Sequence, residues 1–535
     1  MATQIEQHVV TSPWPLAPVP ETNLTSYVLP GSERHPGRPA LIDAPSGRTI
    51  RHGELTPMVR RVAAGLAARG FGEGDVLAIY APNVPEYAVA VHAAMSLGGA
   101  VTTANPLYKQ DELAYQLADS GARALLTVPP FLEPARGAAA KAGCDDLLVL
   151  GEGEGATPFG ALLQHGDEPP APAIDPNATA ALMYSSGTTG APKGVELSHR
   201  GLITNIVQCE AVLDIGKDDV VLAVAPFFHV LGFVILMNGS LAAGATVVSM
   251  PRFDLEALLQ AIQDHQVTFT IVVPPIALAL ARHPVVDSYD LSSLRFVGCG
   301  AAPLGVELQE ECGERLGCLV RQGYGMTECT AGIAISTTVE LERNVPEQVG
   351  ILLPGTEARV VDPAGGEDLG AGPTGEIWIR GPQLMKGYRG RPDATAATID
   401  ADGWLHTGDI GSVDEDGRVF ITDRLKELIK YKAYQVAPAE LEALLCSHPG
   451  VASAAVIGAP DEEAGELPIA FVVARDELDG EELMAWVAER VAPHKRIRRV
   501  EFVDEIPCSP AGKILRRELR ERLSEGAAGA PRSTP

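Results

Sequence analysis

The stretch Ser185-Ser186-Gly187-Thr188-Thr189-Gly190-Ala191-Pro192-Lys193-Gly194 holds three glycines, four hydroxyls and one lysine in ten residues, with no acid. Glycine tolerates φ > 0, so such a loop can turn its backbone N–H groups toward an anion. The hydroxyls add donors, and Lys193 adds a point charge suited to phosphate oxygens. Just upstream, Thr179 to Tyr184 is largely apolar and predicts a strand. A strand running into a loop of this composition is a place to hold phosphate. A plain polar turn rarely combines these residues so densely. The run is not a Walker A loop, which continues Gly-Lys with Ser or Thr; here Lys193 follows Pro192 and precedes Gly194.

Outward from this loop, helical and strand patterns alternate through roughly the first 350 residues. Pro85 to Leu97 predicts a helix with Pro at its first turn and Gly98-Gly99 at its end. Asp254 to His265 predicts another, with Asp254 as N-cap. Val267 to Val273 follows as a β-branched, mostly apolar run suited to a buried strand. This alternation implies an α/β fold of mostly parallel sheets with helices on their faces. Later the pattern changes. Ile377 and Ile379 alternate with Glu376, Trp378 and Arg380, and Asp414-Glu415-Asp416-Gly417 reads as a hairpin turn between Ile410 and Phe420. From Lys426 to Arg517 basic residues bunch. A small domain with a basic face suits a polyanionic cosubstrate. Glu440, Glu442, Glu501, Asp504 and Glu505 lie nearby and would equally make a salt-bridged, solvated surface.

A chain of 535 residues is too long for one core. The formal net charge of −27 argues against binding nucleic acid or an anionic membrane, so an anionic substrate needs a local basic site. Eight scattered cysteines with no CxxC pair suit a reducing cytosol and suggest no zinc site. Met1 to Thr11 lacks a basic segment followed by an apolar one, which speaks against a signal peptide. The apolar run Ile271 to Ala281 contains Pro274-Pro275 and is far shorter than the roughly 20 residues a spanning helix needs. A cytoplasmic protein with no stable membrane insertion is expected. The segment from Glu525 to Pro535, rich in Ala, Gly, Pro and Ser, is expected to be a disordered tail.

Three further segments carry chemistry. In Gln322-Gly323-Tyr324-Gly325-Met326-Thr327-Glu328, the glycines allow close backbone approach, Tyr324 can stack on a base, Thr327 can donate to phosphate, and Glu328 is a hard oxygen ligand for Mg²⁺. In Trp404-Leu405-His406-Thr407-Gly408-Asp409, the acid can accept both hydroxyls of a ribose, with Arg424 fifteen residues on as a second polar contact. Pro507-Cys508-Ser509-Pro510-Ala511-Gly512-Lys513 places a lysine after Pro and Gly on an exposed turn; taken alone, that is an ordinary surface lysine.

Together the four segments resemble the adenylate-forming superfamily of acyl-CoA synthetases, luciferases and nonribosomal adenylation domains, in the same order and at similar spacing. The resemblance covers roughly Ala40 to Leu523. It is nearest the 4-coumarate–CoA ligase-like enzymes, through Ala225-Pro226-Phe227-Phe228-His229, Gly300-Ala301-Ala302-Pro303-Leu304-Gly305 and Leu425 to Lys432. It implies a large N-terminal domain (1–425) with a small β-barrel-like subdomain, then a small mobile α+β domain (426–524) and the tail (525–535). It implies ATP, Mg²⁺ and coenzyme A as cosubstrates and cofactor, with a carboxylic acid as substrate. The acid would become an acyl adenylate, and a thiol would then attack it.

Residues follow from the resemblance. ATP would meet Ser185, Ser186, Gly187, Thr188, Thr189, Lys193, Gln322, Gly323, Tyr324, Thr327, Asp409, Arg424, Lys426 and Gln435. Catalysis would involve Lys513, His229, Thr327, Glu328 and Lys430, with Glu328 serving the metal and Lys426 the hinge. CoA would meet Arg252, Lys432 and Ala433. The acyl pocket would be Val230, Leu231, Val234, Val272, Gly298, Gly300, Ala301, Ala331, Gly332 and Ile333. Leu231, Val234 and Gly298 stand where plant hydroxycinnamate ligases have polar groups, and three glycines should make the pocket roomier. An apolar acid is therefore expected: cinnamate-like, another aryl acid, or a medium-chain fatty acid. One departure stands out. The subgroup reads Tyr-Lys-Gly-Phe-Gln where this chain has Tyr431-Lys432-Ala433-Tyr434-Gln435. The extra methyl of Ala433 on the pantetheine path would slow CoA transfer or favour an acyl carrier protein as acceptor. An oxygenase or a non-catalytic binding protein on the same scaffold are further alternatives, and either a monomer or a homodimer is compatible.

Overall fold

The alternating patterns of the first two-thirds of the chain assemble into two large sheets. A computed structural model describes residues 8–166, 168–185, 192–336, 348–432, 434–461, 463–509 and 512–528. The first sheet has eight strands. Its parallel part runs Thr179–Ser185, Ala100–Thr103, Val76–Tyr80, Ala122–Thr127, Asp146–Val149 and Thr157–Pro158. Lys193–Ser198 then folds back antiparallel on Thr179–Ser185, with Lys193 opposite Ser185 and Gly194 opposite Tyr184. The phosphate-type stretch therefore joins two antiparallel neighbours. The helix Glu86–Ser96 lies almost wholly buried between sheets, which explains why its sequence shows no polar face.

The second sheet has fourteen strands and changes character at Leu319–Gly325. On one side that strand pairs parallel with Phe296–Cys299, followed by Phe269–Val272, Val220–Ala223, Thr246–Ser249 and Pro39–Asp43. On the other it pairs antiparallel with Gly332–Ile335, and the ladder continues through Gln348–Leu352, Arg418–Arg424, Leu405–Val413 and Gly375–Arg380. The antiparallel strands thus extend the parallel sheet edge to edge while keeping their own core around Ile333, Ile377, Ile379 and Val419. Gly375–Arg380 alternates buried and half-buried residues as its sequence predicts. The helix Leu255–His265 starts where expected, with the Asp254 carboxylate accepting from Ala257 N–H at 2.9 Å.

After Arg424 the chain builds a third, five-stranded sheet which, among the described residues, has no ladder to the other two: Ile429–Tyr431, Tyr434–Val436, Val451–Asp461, Gly465–Ala474 and Arg499–Phe502. Two features tie it to the rest near residues 425–428. Ile410 packs with Leu428 and Ala437. Asp423 accepts from Ala439 N–H at 2.9 Å, in the first turn of the helix Pro438–Ser447. The helix Arg516–Ala528 runs four residues into the segment expected as a tail. Its fully buried Leu519 anchors it against Ile457, Ile469 and Phe471, and residues 529–535 lie outside the described ones. Among the described residues no helix is long and apolar enough to cross a membrane.

Candidate active site

The chemistry-bearing residues gather beyond the carboxyl ends of the parallel strands, the usual ligand position in open α/β sheets. After Phe296–Cys299, Gly300 N–H donates to Val272 O at 3.1 Å and Ala301 adopts φ +70°. A non-glycine residue in that region costs on the order of 1–3 kcal/mol and marks a functional turn. Gln322 braces this turn: its Oε1 accepts from Leu304 N–H at 2.9 Å and its Nε2 donates to Gln309 at 3.1 Å. The Gln322 side chain is therefore committed to the protein. At Gly325 an added Cβ would lie 1.7 Å from Ala331 O, so only glycine fits.

On the antiparallel side, Tyr324 Oη donates to Asp409 Oδ2 at 2.6 Å, and Arg424 Nε lies 3.0 Å from Asp409 Oδ1. Asp409 is 3 % exposed. Its N–H meets the Thr407 hydroxyl at 3.0 Å, which in turn donates to Ile377 O at 2.6 Å. Loss of hydration and the Asp409 charge hold the Tyr324 phenol well above its usual range, so it stays a donor. Thr327 and Glu328 occupy a short 3₁₀ turn. Glu328 Oε1 accepts from Tyr388 Oη at 2.8 Å, and Lys193 Nζ stands 4.5 Å from the centroid of the same Tyr388 ring. Tyr388 was absent from the sequence reading, because the two-residue strand Gly387–Tyr388 carries no local pattern. Ser185 and Lys193 are half-buried at the facing ends of the two antiparallel strands; Ser186, Gly187, Thr188 and Thr189 lie outside the described residues.

Lys513 enters this group from the small domain. Gly512 has φ +73°, and a Cβ on it would sit 2.7 Å from the Val273 side chain, so the turn seats directly on the end of a large-domain strand. Ser509 N–H donates to Lys513 O at 2.8 Å and closes the turn. Lys513 keeps exposed surface overall, while protein atoms crowd round its ammonium. That loss of hydration, followed by the positive field of Arg424, brings its pKa down to about 8, against the pull of Asp409 and Glu328. Burial, with a smaller push from Lys513, lowers His229 to about 4, so its imidazole is neutral near pH 7. Residues 229, 328, 409, 424 and 513, far apart in sequence, thus share one electrostatic environment.

The remaining predicted residues are placed less centrally. Lys426 is exposed on the connection between domains; Lys430 and Gln435 face each other across a hairpin, both exposed. Lys432 has φ +54° and its Nζ lies 3.2 Å from Glu463. Arg252 is exposed after the strand Thr246–Ser249. Among the described residues none of these five bonds to the group around Lys513. Ala433 lies outside the described residues.

The acyl-pocket residues divide among three cores. Val230, Leu231, Val234 and Ala331 belong with the helix Glu86–Ser96, Val272 with a second cluster, and the fully buried Ile333 with the antiparallel core. Leu231–Gly239 is a π-helix, a form frequent at functional sites. It docks so closely that a Cβ on Gly232 would lie 2.2 Å from Pro226 O. The expectation that three glycines enlarge the pocket needs correction. A Cβ on Gly300 would meet only Gly323 O, at 3.6 Å, so that position is open. Space beside Gly298 is taken by Ile271, 3.0 Å from where a Cβ would lie, and space beside Gly332 by Leu353 at 2.8 Å. A missing side chain leaves room only where no neighbour has moved in.

Buried Asp409 held by Arg424 and Tyr324, Lys193 and Glu328 both in contact with Tyr388, and Lys513 from the small domain meet beyond the parallel strands, as the resemblance to adenylate-forming enzymes implies. The chain belongs to that family: the AMP-binding enzyme family matches residues 31–389, and its C-terminal domain matches residues 440–513. Among curated relatives, 4-coumarate–CoA ligase 5 of Oryza sativa subsp. japonica is 44% identical over 98% of this chain and 99% of its own length. The 4-coumarate–CoA ligase of Pinus taeda is 43% identical, covering 94% of this chain and 95% of its own. Among solved structures, the anthranilate CoA ligase AuaEII in complex with anthranoyl-AMP is similar with a TM-score of 0.89 and 26% identity, over 96% of this chain and 99% of that one. A benzoate CoA ligase from Burkholderia xenovorans LB400 has a TM-score of 0.84 at 27% identity, over 93% of this chain and 100% of its own.

Proposed function

We propose that this chain is an ATP-dependent carboxylic acid–CoA ligase that forms an acyl adenylate and pyrophosphate, then transfers the acyl group to the CoA thiol. The observation that carries the reading is the Lys513 ammonium set beside Glu328, Asp409, Arg424 and His229. A carboxylate and an α-phosphate repel each other, and the barrier falls when fixed charges neutralise that repulsion. Lys513 would bridge the two reacting groups. Asp409, held by Arg424 and Tyr324, would take the ribose hydroxyls, and Lys193 the departing pyrophosphate. Glu328 keeps one carboxylate oxygen free of Tyr388, which fits Mg²⁺ held by one protein carboxylate and phosphate oxygens; when bound, the ion supplies charge neutralisation. For the second step the small domain would turn about Lys426, withdrawing Lys513 and presenting Lys432 and Ala433.

The relatives' names support an aryl or cinnamate-type acid. So does the composition of the expected pocket, where Leu231 and Val234 would offer no partner to a phenol hydroxyl. Burying such a hydroxyl unpaired costs on the order of 1–3 kcal/mol. A pyrophosphate-release screen over aryl and aliphatic acids, with and without CoA, tests the reading. Release with cinnamate-type acids and a thioester product only when CoA is present are expected; no release with any acid removes it. Equal turnover of 4-coumarate and cinnamate would count against the apolar pocket. Ala433 favours a second reading, in which the acceptor is a carrier-protein thiol. On that reading Ala433→Gly speeds CoA transfer, and unchanged CoA kinetics dispose of it.

A further inference from the structure

The two described ends of the phosphate-type stretch are tied to the same helix, Gln110–Ser120, which carries none of the predicted site residues. Before the stretch, Tyr184 Oη donates to Asp119 Oδ2 at 2.7 Å. Near its far end, Pro192 O accepts from Tyr115 Oη at 2.9 Å, one residue before Lys193. Arg391 joins the two ties, donating through Nη2 to Tyr115 Oη at 2.6 Å and to Asp119 Oδ1 at 3.0 Å. Arg391 follows closely on Tyr388, the ring beneath Lys193 and the donor to Glu328. Arg389 N–H also donates to Gly194 O at 2.8 Å. The Tyr184 ring fills the space over Gly194, 3.1 Å from where a Cβ would lie.

We infer that Tyr115, Asp119 and Arg391 are positioning residues that fix Lys193 for the phosphates of ATP. This rests on the ligase reading above. None of the three contacts the reacting atoms. They act through Tyr184 and Pro192, which flank residues 185–191, and through the segment that brings Tyr388 under Lys193. All three are half-buried polar groups that satisfy one another, and such a network fixes geometry because moving one member leaves the others unpaired. Misplacing a charge by about 1 Å can cost on the order of a hundredfold in an enzyme of this kind.

The test is acid-dependent ATP–pyrophosphate exchange in the full-length protein. Tyr115→Phe keeps the ring and removes both hydroxyl contacts; the KM for ATP should rise roughly tenfold, with the KM for the acid changed less than about twofold. Asp119→Asn keeps the shape, removes the charge facing Arg391 and should raise the ATP KM in the same direction. The double variant should fall short of the product of the two single effects, because they act through one network. An unchanged ATP KM alongside a lower melting temperature in both variants would make the cluster a fold brace and overturn the inference. So would equal rises in the ATP and acid KM values. Wild-type protein that shows no exchange with any acid would remove the ligase reading and this inference together.

Discussion

At the residue scale, Lys513 and Asp409 show how environment sets role. Asp409 is a buried carboxylate held by Arg424 at 3.0 Å and a phenol at 2.6 Å. Lys513 has its pKa brought down to about 8, chiefly by loss of water. Lys513→Ala should abolish acyl-AMP formation, read as pyrophosphate release, while the circular dichroism spectrum and melting temperature stay near wild type. Undiminished acyl-AMP would overturn its role. The ammonium form is the one that bridges two anions, so kcat/KM for ATP should fall as pH rises through about 8. The same limb in kcat should lie higher, because bound phosphate favours the charged amine. The sequence placed Lys513 and Asp409 by their motifs. It had no signal for Tyr388, Tyr115, Asp119 or Arg391, whose partners lie 60 or more residues away along the chain.

At the scale of elements, the parallel strands, the Asp254 cap and the hairpin at Asp414 to Gly417 follow directly from burial pattern and turn chemistry. Two things were not legible. The antiparallel strands continue the parallel sheet, which depends on Leu319–Gly325 pairing differently on its two edges. The fit of Gly298 and Gly332 depends on Ile271 and Leu353, neither of which is a sequence neighbour of the glycine it meets. The turn carrying Lys513 gives the sharpest prediction at this scale. Gly512→Ala places a methyl against Val273 and forces alanine into φ +73°, a backbone cost of about 1 kcal/mol or more before the clash is counted. Adenylation should fall at least about tenfold, while CoA transfer from supplied acyl adenylate should change less than about threefold. Equal losses in both half-reactions would show that the turn is not specific to the first.

At the scale of the whole molecule, acid sensitivity has an identifiable source. His92 and His199 lie in the core, His92 beside the Thr25 hydroxyl at 3.2 Å and His199 accepting from Leu24 N–H at 3.2 Å. Burial lowers both from 6.5 to about 4. The unfolded chain therefore binds protons between pH 6.5 and 4 that the folded chain refuses, so stability is full above about 6.5 and declines as pH falls through that window. Asp423 and Glu442, raised by burial, act in the opposite direction over the range just above the usual carboxylate values. The comparison that isolates the histidine is His92→Gln against wild type: the variant's melting temperature should fall less between pH 6.5 and 4.5. An identical fall in both would assign the acid sensitivity elsewhere.

The seating of Gly512 on Val273 has a temporal meaning as well as a spatial one. A turn that lodges against the rim of the large sheet in order to make one bond is also an obstacle there. On the proposed mechanism the thiol partner would wait until that obstacle withdraws, and withdrawal would be easiest once pyrophosphate has gone and the lysine faces fewer anionic oxygens. A single glycine without a side chain would thereby work as a turnstile. It would admit one reactant at a time and make the sequence of arrivals a property of how closely two backbones can touch.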